Sequence, residues 1–182
     1  MAKFAAAGKA GGKKDLGMIA TAYGNVYVAQ IAMGADMPQT VKALAEAEAH
    51  QGPSLVIAYS HCIAHGIDMS TAMSHQKEAV DSGYWPLYRF DPRNEEAGEH
   101  ALRLDSKKPS IPLKAFTSKE ARYAMLARSD PDRAERLARE AQNDVDARRH
   151  LYEQLAGVDR SVAHDEPSEE ILADTEEGDP AG

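Results

Sequence analysis

The segment Ser60-His61-Cys62-Ile63-Ala64-His65-Gly66 brings a thiol and two imidazoles close together in the chain. That set suits three kinds of chemistry. The thiolate can ligate a metal, it can act as a nucleophile beside a base, or the cysteine can sit half-buried and unreactive in a turn. Structural zinc takes four protein ligands, so His61, Cys62 and His65 would need a fourth from His50, His75 or farther away, and no standard spacing supplies it. Haem attachment needs two cysteines, and Cys62 is the only one. Adjacency in the chain does not by itself orient His61 or His65 onto the Cys62 sulfur. On residue types alone all three readings stay open.

Other candidates read more simply. Gly8, Gly11 and Gly12 follow no strand and match neither phosphate-loop spacing. Asp36, in Met33-Gly34-Ala35-Asp36, is placed to cap a helix rather than to hold a metal. Trp85 reads as a packing anchor, and the seven methionines read as fillers of core gaps.

The loop needs a scaffold, and the flanking sequence supplies one. Asp15 caps a short helix to about Tyr23, with Leu16, Ile19 and Ala20 on one face, and Gly24 closes it. Val26–Ala32 reads as a buried strand. Pro38 opens a helix on which Val41, Leu44 and Ala45 recur at helical spacing, and Gly52-Pro53 ends it. Ser54–Tyr59 is a second strand, apolar on both faces as in covered parallel sheets. Ser70 or Thr71 starts a third helix that Gly83 closes, and Tyr84–Phe90 is a third extended run.

The expected fold class is therefore α/β, a partial doubly wound parallel sheet with C-terminal helices. Residues 91–117 read as a polar excursion, followed by a helix from about Thr117 to Arg128. A break at Ser129-Asp130-Pro131 then starts a long helix to Leu155, whose apolar stripe runs through Ala134, Leu137, Ala138, Ala141, Val145, Tyr152 and Leu155. Three strands make an incomplete sheet, so neighbouring strands are expected from elsewhere.

The chain has 182 residues and a net charge of −8. The segment 165–182 holds Asp165, Glu166, Glu169, Glu170, Asp174, Glu176, Glu177 and Asp179 without a Lys or Arg, so residues 1–164 are balanced. A neutral body with an acidic tail argues against nucleic acid as a partner. Apolar runs such as Leu55–Tyr59 fall far short of the roughly 18 to 20 residues that span a membrane. No secretory signal is visible, and the single cysteine fits a reducing compartment, so the expectation is a cytoplasmic protein. The acidic end from Val158 onward is expected to be disordered.

Several stretches together resemble one family. They are Ala2-Lys3-Phe4-Ala5-Ala6-Ala7-Gly8-Lys9, Lys13-Lys14-Asp15-Leu16, Tyr23-Gly24-Asn25-Val26-Tyr27-Val28-Ala29 and Gly52-Pro53-Ser54-Leu55-Val56-Ile57-Ala58-Tyr59. Cys62-Ile63, His65-Gly66 and the run from Ser82-Gly83-Tyr84-Trp85-Pro86 to Arg93 continue the series. In this order they resemble the thiamine-diphosphate domain of pyruvate:ferredoxin (flavodoxin) oxidoreductase. The likeness is close over residues 2–128 and loose to Leu155.

The resemblance implies a C-terminal fragment of that large enzyme. Residues 1–93 would form the second half of an incomplete thiamine-diphosphate-binding fold, 94–157 a helical extension, and 158–182 a tail outside the likeness. It implies oxidative decarboxylation of pyruvate to acetyl-CoA and CO2, with thiamine diphosphate, Mg²⁺ and [4Fe–4S] clusters as cofactors. Ferredoxin or flavodoxin would accept the electrons, coenzyme A the acetyl group, and the intact enzyme would be a homodimer. The family's Gly-Asp-Gly and Asn motif for Mg²⁺ and diphosphate is absent here, as are the substrate-binding residues, so the upstream part of the same enzyme becomes the expected partner. Cys62 matches the last of four thiolate ligands of one [4Fe–4S] cluster, with His61 or His65 as candidates for its surroundings. Alone, the chain is expected to be inactive. Two alternatives are a stand-alone α/β interaction module and a small metal- or thiol-dependent enzyme using His61, Cys62 and His65.

Overall fold

Strand β1 (Tyr27–Ile31) is buried along its whole length, and the rest of the molecule is arranged around it. The structure, a computed structural model, describes residues 14–158. The Ala/Gly/Lys segment with Gly8, Gly11 and Gly12, and the acidic tail beyond Val158, lie outside the described residues.

In chain order the elements are α1 (Leu16–Thr21), β1, α2 (Met37–Ala49), β2 (Ser54–Ala58), two 3₁₀ turns (Ile63–His65 and Met69–Thr71) and α3 (Ala72–Asp81). Then follow β3 (Tyr88–Phe90), α4 (Arg93–Glu96), β4 (Leu102–Leu104), α5 (Leu113–Thr117), α6 (Ala121–Ser129) and α7 (Pro131–Leu155). Asp15 and Asp36 cap α1 and α2 through Met18 N and Gln39 N, at 3.1 and 2.9 Å. Asp130 accepts from Arg133 N at 3.0 Å, with Pro131 as the first residue of α7, where its missing N–H costs nothing.

The sheet is α/β but mixed, in the order β2-β1-β3-β4. β1 and β2 pair in parallel from Tyr27↔Ser54 to Ile31↔Ala58. β3 runs antiparallel to β1, with Val28 opposite Phe90 and Gln30 opposite Tyr88, and β4 runs antiparallel to β3. This corrects the expected all-parallel sheet, and the cause lies in the entry to β3. The Trp85 indole N–H donates to Ile31 O at 2.9 Å, and Gln30 Nε2 donates to Pro86 O at 2.7 Å. The chain therefore re-enters the sheet beside the carboxyl end of β1 and must run back along it. The third strand is also shorter than the run Tyr84–Phe90, and β4 lies inside the stretch expected to be an excursion.

Three apolar clusters hold these elements together. Tyr27, Ala29 and Ile31 meet Ala43 of α2 on one face of β1. Val28, Tyr88, Phe90 and Leu102 meet Tyr152 of α7 on the other. At the carboxyl end of the sheet Ala32, Tyr59, Ala79 and Leu87 pack with Leu113, Phe116 and Val145. Helix α7 spans two clusters, through Val145 and Tyr152, and so fastens both ends of the sheet. Arg89, buried in β3, adds a polar clamp: Nη1 donates to both Glu46 oxygens at 2.6 and 2.8 Å, and Nε and Nη2 donate to the Asp105 carboxylate at 2.8 Å each.

Three expectations about facing are corrected. On α1 it is Gly17 that is buried, while Leu16 and Ile19 are exposed. Helix α2 buries Gln39, Thr40 and Ala43 and turns Met37, Val41 and Leu44 outward. Met33, Met37, Met69, Met73 and Met125 are exposed rather than filling the core. Periodicity identifies a helix, but which side meets the sheet depends on where the small residues allow close approach. Strand β2 forms one edge of the sheet, and its apolar Leu55, Val56 and Ile57 are only half-buried.

Candidate functional site

The loop after β2 begins where Tyr59 N donates to Ile31 O at 2.9 Å, with the Tyr59 ring edge-on to Trp85 at 5.3 Å. From there it reaches the carboxyl end of the strands, where open α/β sheets gather their ligands.

Cys62 lies in this loop with extended backbone (φ −142°, ψ 133°). It is exposed, which corrects the half-buried reading. Its sulfur accepts from Ala64 N at 3.4 Å, capping the single 3₁₀ turn Ile63–His65. The turn closes through His65 N to Cys62 O and Gly66 N to Ile63 O, both 2.9 Å.

Two fixtures hold the loop. On one side Gln76, buried on α3, stands 2.9 Å from His61 Nδ1 through its amide nitrogen, while its oxygen accepts from Gly34 N at 2.8 Å. On the other, Gly66 adopts φ +73°, and its carbonyl accepts from Ala121 N at 3.2 Å. A Cβ on Gly66 would lie 2.4 Å from Ala121 Cβ, so glycine is required by both conformation and space.

Beneath the loop lies a buried polar group. The Glu120 carboxyl is wholly inaccessible, with His75 Nε2 2.9 Å from Oε1 and the Arg122 guanidinium on Oε2. The His75 ring stacks on Phe116 at 4.6 Å. Burial raises the Tyr59 hydroxyl above the ordinary phenol range, and Glu120 adds to that. Burial, then the Arg122 guanidinium, holds His65 below the ordinary imidazole range.

The structure brings His61, Cys62 and His65 into one loop without joining them as a donor set. His61 is bound to Gln76. His50 and His75, the distant candidates for a fourth ligand, face Asn25 O at 3.1 Å and Glu120 respectively. Among the described residues no group of three or more His, Cys, Asp or Glu side chains is placed to hold a metal ion. Cys62 stands in this loop as a free, exposed thiol. No described helix is long and apolar enough to cross a membrane.

Gln76, Glu120 and Arg122 carry no signal of their role in the sequence. Gln76 and Glu120 are ordinary polar positions on helical segments, and their partners lie 15 and 45 residues away.

No protein-family model matches the chain. It is 54% identical over 156 residues to a pyruvate-flavodoxin oxidoreductase of Trichormus variabilis and 53% identical over 157 residues to that of Rhodospirillum rubrum. It is 47% identical over 156 residues to the pyruvate:ferredoxin oxidoreductase of Moorella thermoacetica. Each match takes in 86% of this chain but only 13% of the relative. The chain is thus similar to one segment of much larger enzymes.

Proposed function

We propose, on the premise that the chain is a homologue of one segment of the pyruvate-flavodoxin oxidoreductases, that it works as a structural and electron-transfer segment of such an enzyme. The reaction would be oxidative decarboxylation of pyruvate to acetyl-CoA and CO2, with ferredoxin or flavodoxin as acceptor and coenzyme A as co-substrate. The observation that carries this is the identity of about half of all residues over 86% of the chain.

In the family that the sequence resembles, thiamine diphosphate with Mg²⁺ supplies the decarboxylation and [4Fe–4S] clusters supply one-electron transfer. This chain's share is narrower. Cys62 would provide one thiolate of a four-thiolate set, the others coming from elsewhere in the enzyme. An exposed cysteine on a loop fixed at both ends suits that role, because a ligand to a shared group must face the other segments. Residues 1–93 would belong to the thiamine-diphosphate domain and 94–157 to an extension, with 158–182 as a separate tail. The exposed edge of β2 and the outward apolar face of α2 favour a unit that packs within a larger body; the whole enzyme would be a cytoplasmic homodimer.

The reading is tested by purifying the whole gene product that contains this segment under anaerobic conditions and assaying pyruvate- and coenzyme A-dependent reduction of flavodoxin or ferredoxin. Release of CO2 matched to acceptor reduction supports it. No pyruvate oxidation with any low-potential acceptor overturns it.

A further inference from the structure

We infer that Gln76 and His61 are positioning residues for Cys62: the Gln76 amide holds the His61 ring inward, and the extended backbone then turns the Cys62 thiol outward. This rests on the proposed role of Cys62 as a cluster ligand.

The direction of each hydrogen bond follows from one obligatory donor. The Gly34 N–H can only donate, so the Gln76 atom 2.8 Å from it is the amide oxygen. The Gln76 nitrogen must then face His61 Nδ1, 2.9 Å away, and donate to it. His61 Nδ1 is therefore the acceptor, and the ring hydrogen sits on Nε2. Flipping the amide would place its NH2 group against the Gly34 N–H, two donors facing each other, and that bond would be lost.

The anchors on the far side of this relay are rigid. Gln76 is 5% exposed, on the face of α3 that also buries Ala72, His75 and Ala79. The turn at Gly34 lies so close to α3 that a Cβ there would come 2.5 Å from the Met73 carbonyl oxygen. Three separate pieces of chain, the β1–α2 turn, α3 and the loop, thus meet through one buried amide. Successive side chains on extended backbone point to opposite sides, and Cys62 has extended dihedrals. With the ring of residue 61 tied down toward α3, the thiol of residue 62 faces away from it. This agrees with a half-buried His61 beside an exposed Cys62.

The test uses the intact, cluster-loaded enzyme and four variants: Cys62→Ser, Gln76→Leu, His61→Leu and His61→Asn. Iron per chain, the EPR spectrum and midpoint potential of each reduced cluster, and the rate of pyruvate-driven acceptor reduction are measured together. His61→Leu and Gln76→Leu are expected to shift the EPR signal and potential of one cluster, and to slow reduction by about ten-fold, as loss of a ligand-orienting hydrogen bond does. His61→Asn keeps an oxygen acceptor facing Gln76 and is expected to restore the wild-type spectrum. If Cys62→Ser loses iron while His61→Leu leaves the spectrum, potential and rate unchanged, the positioning inference is wrong and the ligand role stands. An altered His61→Asn spectrum also overturns the inference. If Cys62→Ser keeps all its iron, the ligand role itself is wrong. Should Gln76→Leu fail to fold, the two His61 variants decide the matter alone.

Discussion

The backbone N–H of Ala121 donates to the carbonyl of Gly66 at 3.2 Å, joining the first residue of α6 to the loop that carries Cys62. The two residues pack so closely that the loop cannot settle without glycine at this position. Gly66→Ala is expected to destabilise the loop through its left-handed backbone, by about 1–2 kcal/mol, with the clash against Ala121 adding to this. Hydrogen exchange of residues 60–66 in the intact protein measures the effect. Adding Ala121→Gly should recover the clash but not the conformational cost; full recovery or none would contradict this division.

Glu120 should be among the least replaceable side chains in the molecule. It is inaccessible to solvent and meets both His75 and Arg122, so Glu120→Ala leaves the buried His75 and the half-buried Arg122 guanidinium without this partner. Removing one member of a buried ion pair costs about 3–5 kcal/mol. Denaturant unfolding, or protease resistance of the intact enzyme, should report a loss on that scale, and a change below about 1 kcal/mol would show the pair to be dispensable.

Arg89 makes four charge-assisted hydrogen bonds to Glu46 and Asp105, and those to Asp105 are the main reason its guanidinium is held even more firmly protonated than usual. An ammonium group cannot reproduce that fork. Arg89→Lys is therefore expected to cost about 2–4 kcal/mol despite the retained charge, as loss of buried charged hydrogen bonds does. Equal stability of the two proteins in urea would contradict the clamp.

His65 gives the loop a pH dependence. Burial and Arg122 hold the imidazole below its ordinary range, so the folded loop favours the neutral ring. Above about pH 6.5 the ring is neutral in folded and opened loop alike, and nothing is lost. As the pH falls through that value the opened loop takes up the proton first, and closure weakens until the folded pKa is passed. Opening of residues 60–66, from hydrogen exchange corrected for intrinsic rates, should increase as the pH falls through about 6.5, the ordinary imidazole value. His65→Gln should flatten the profile; an unchanged slope would refute the assignment.

Much of the scaffold was legible because single residues dictate it. Asp130-Pro131 can hardly do anything but start a helix, and Asp15 and Asp36 cap where their spacing places them. Strand β1 shows itself as a β-rich run over Val26–Ala32, apolar except at Gln30. Other features were hidden for physical reasons. Leu102-Arg103-Leu104 is too short to register as a strand until β3 lies beside it. The direction of β3 is set by Trp85 and Gln30 at the end of β1, which are tertiary contacts with no local signature. Val41 and Leu44 announce a helix but not that its sheet-facing side is the one with Ala43. At the site, Cys62 stood out by its chemistry, whereas Gln76 and Glu120, which fix the loop around it, are recognised only by what they touch.

The role of Cys62 is addressed directly by one measurement: iron content and EPR of the intact enzyme with Cys62→Ser, purified anaerobically beside the wild type. Loss of about one four-iron cluster per chain, with pyruvate-driven reduction of the acceptor falling at least a hundred-fold, is the predicted result. Full iron content with an unaltered spectrum and rate would contradict it and leave Cys62 as an exposed thiol without a ligand's role.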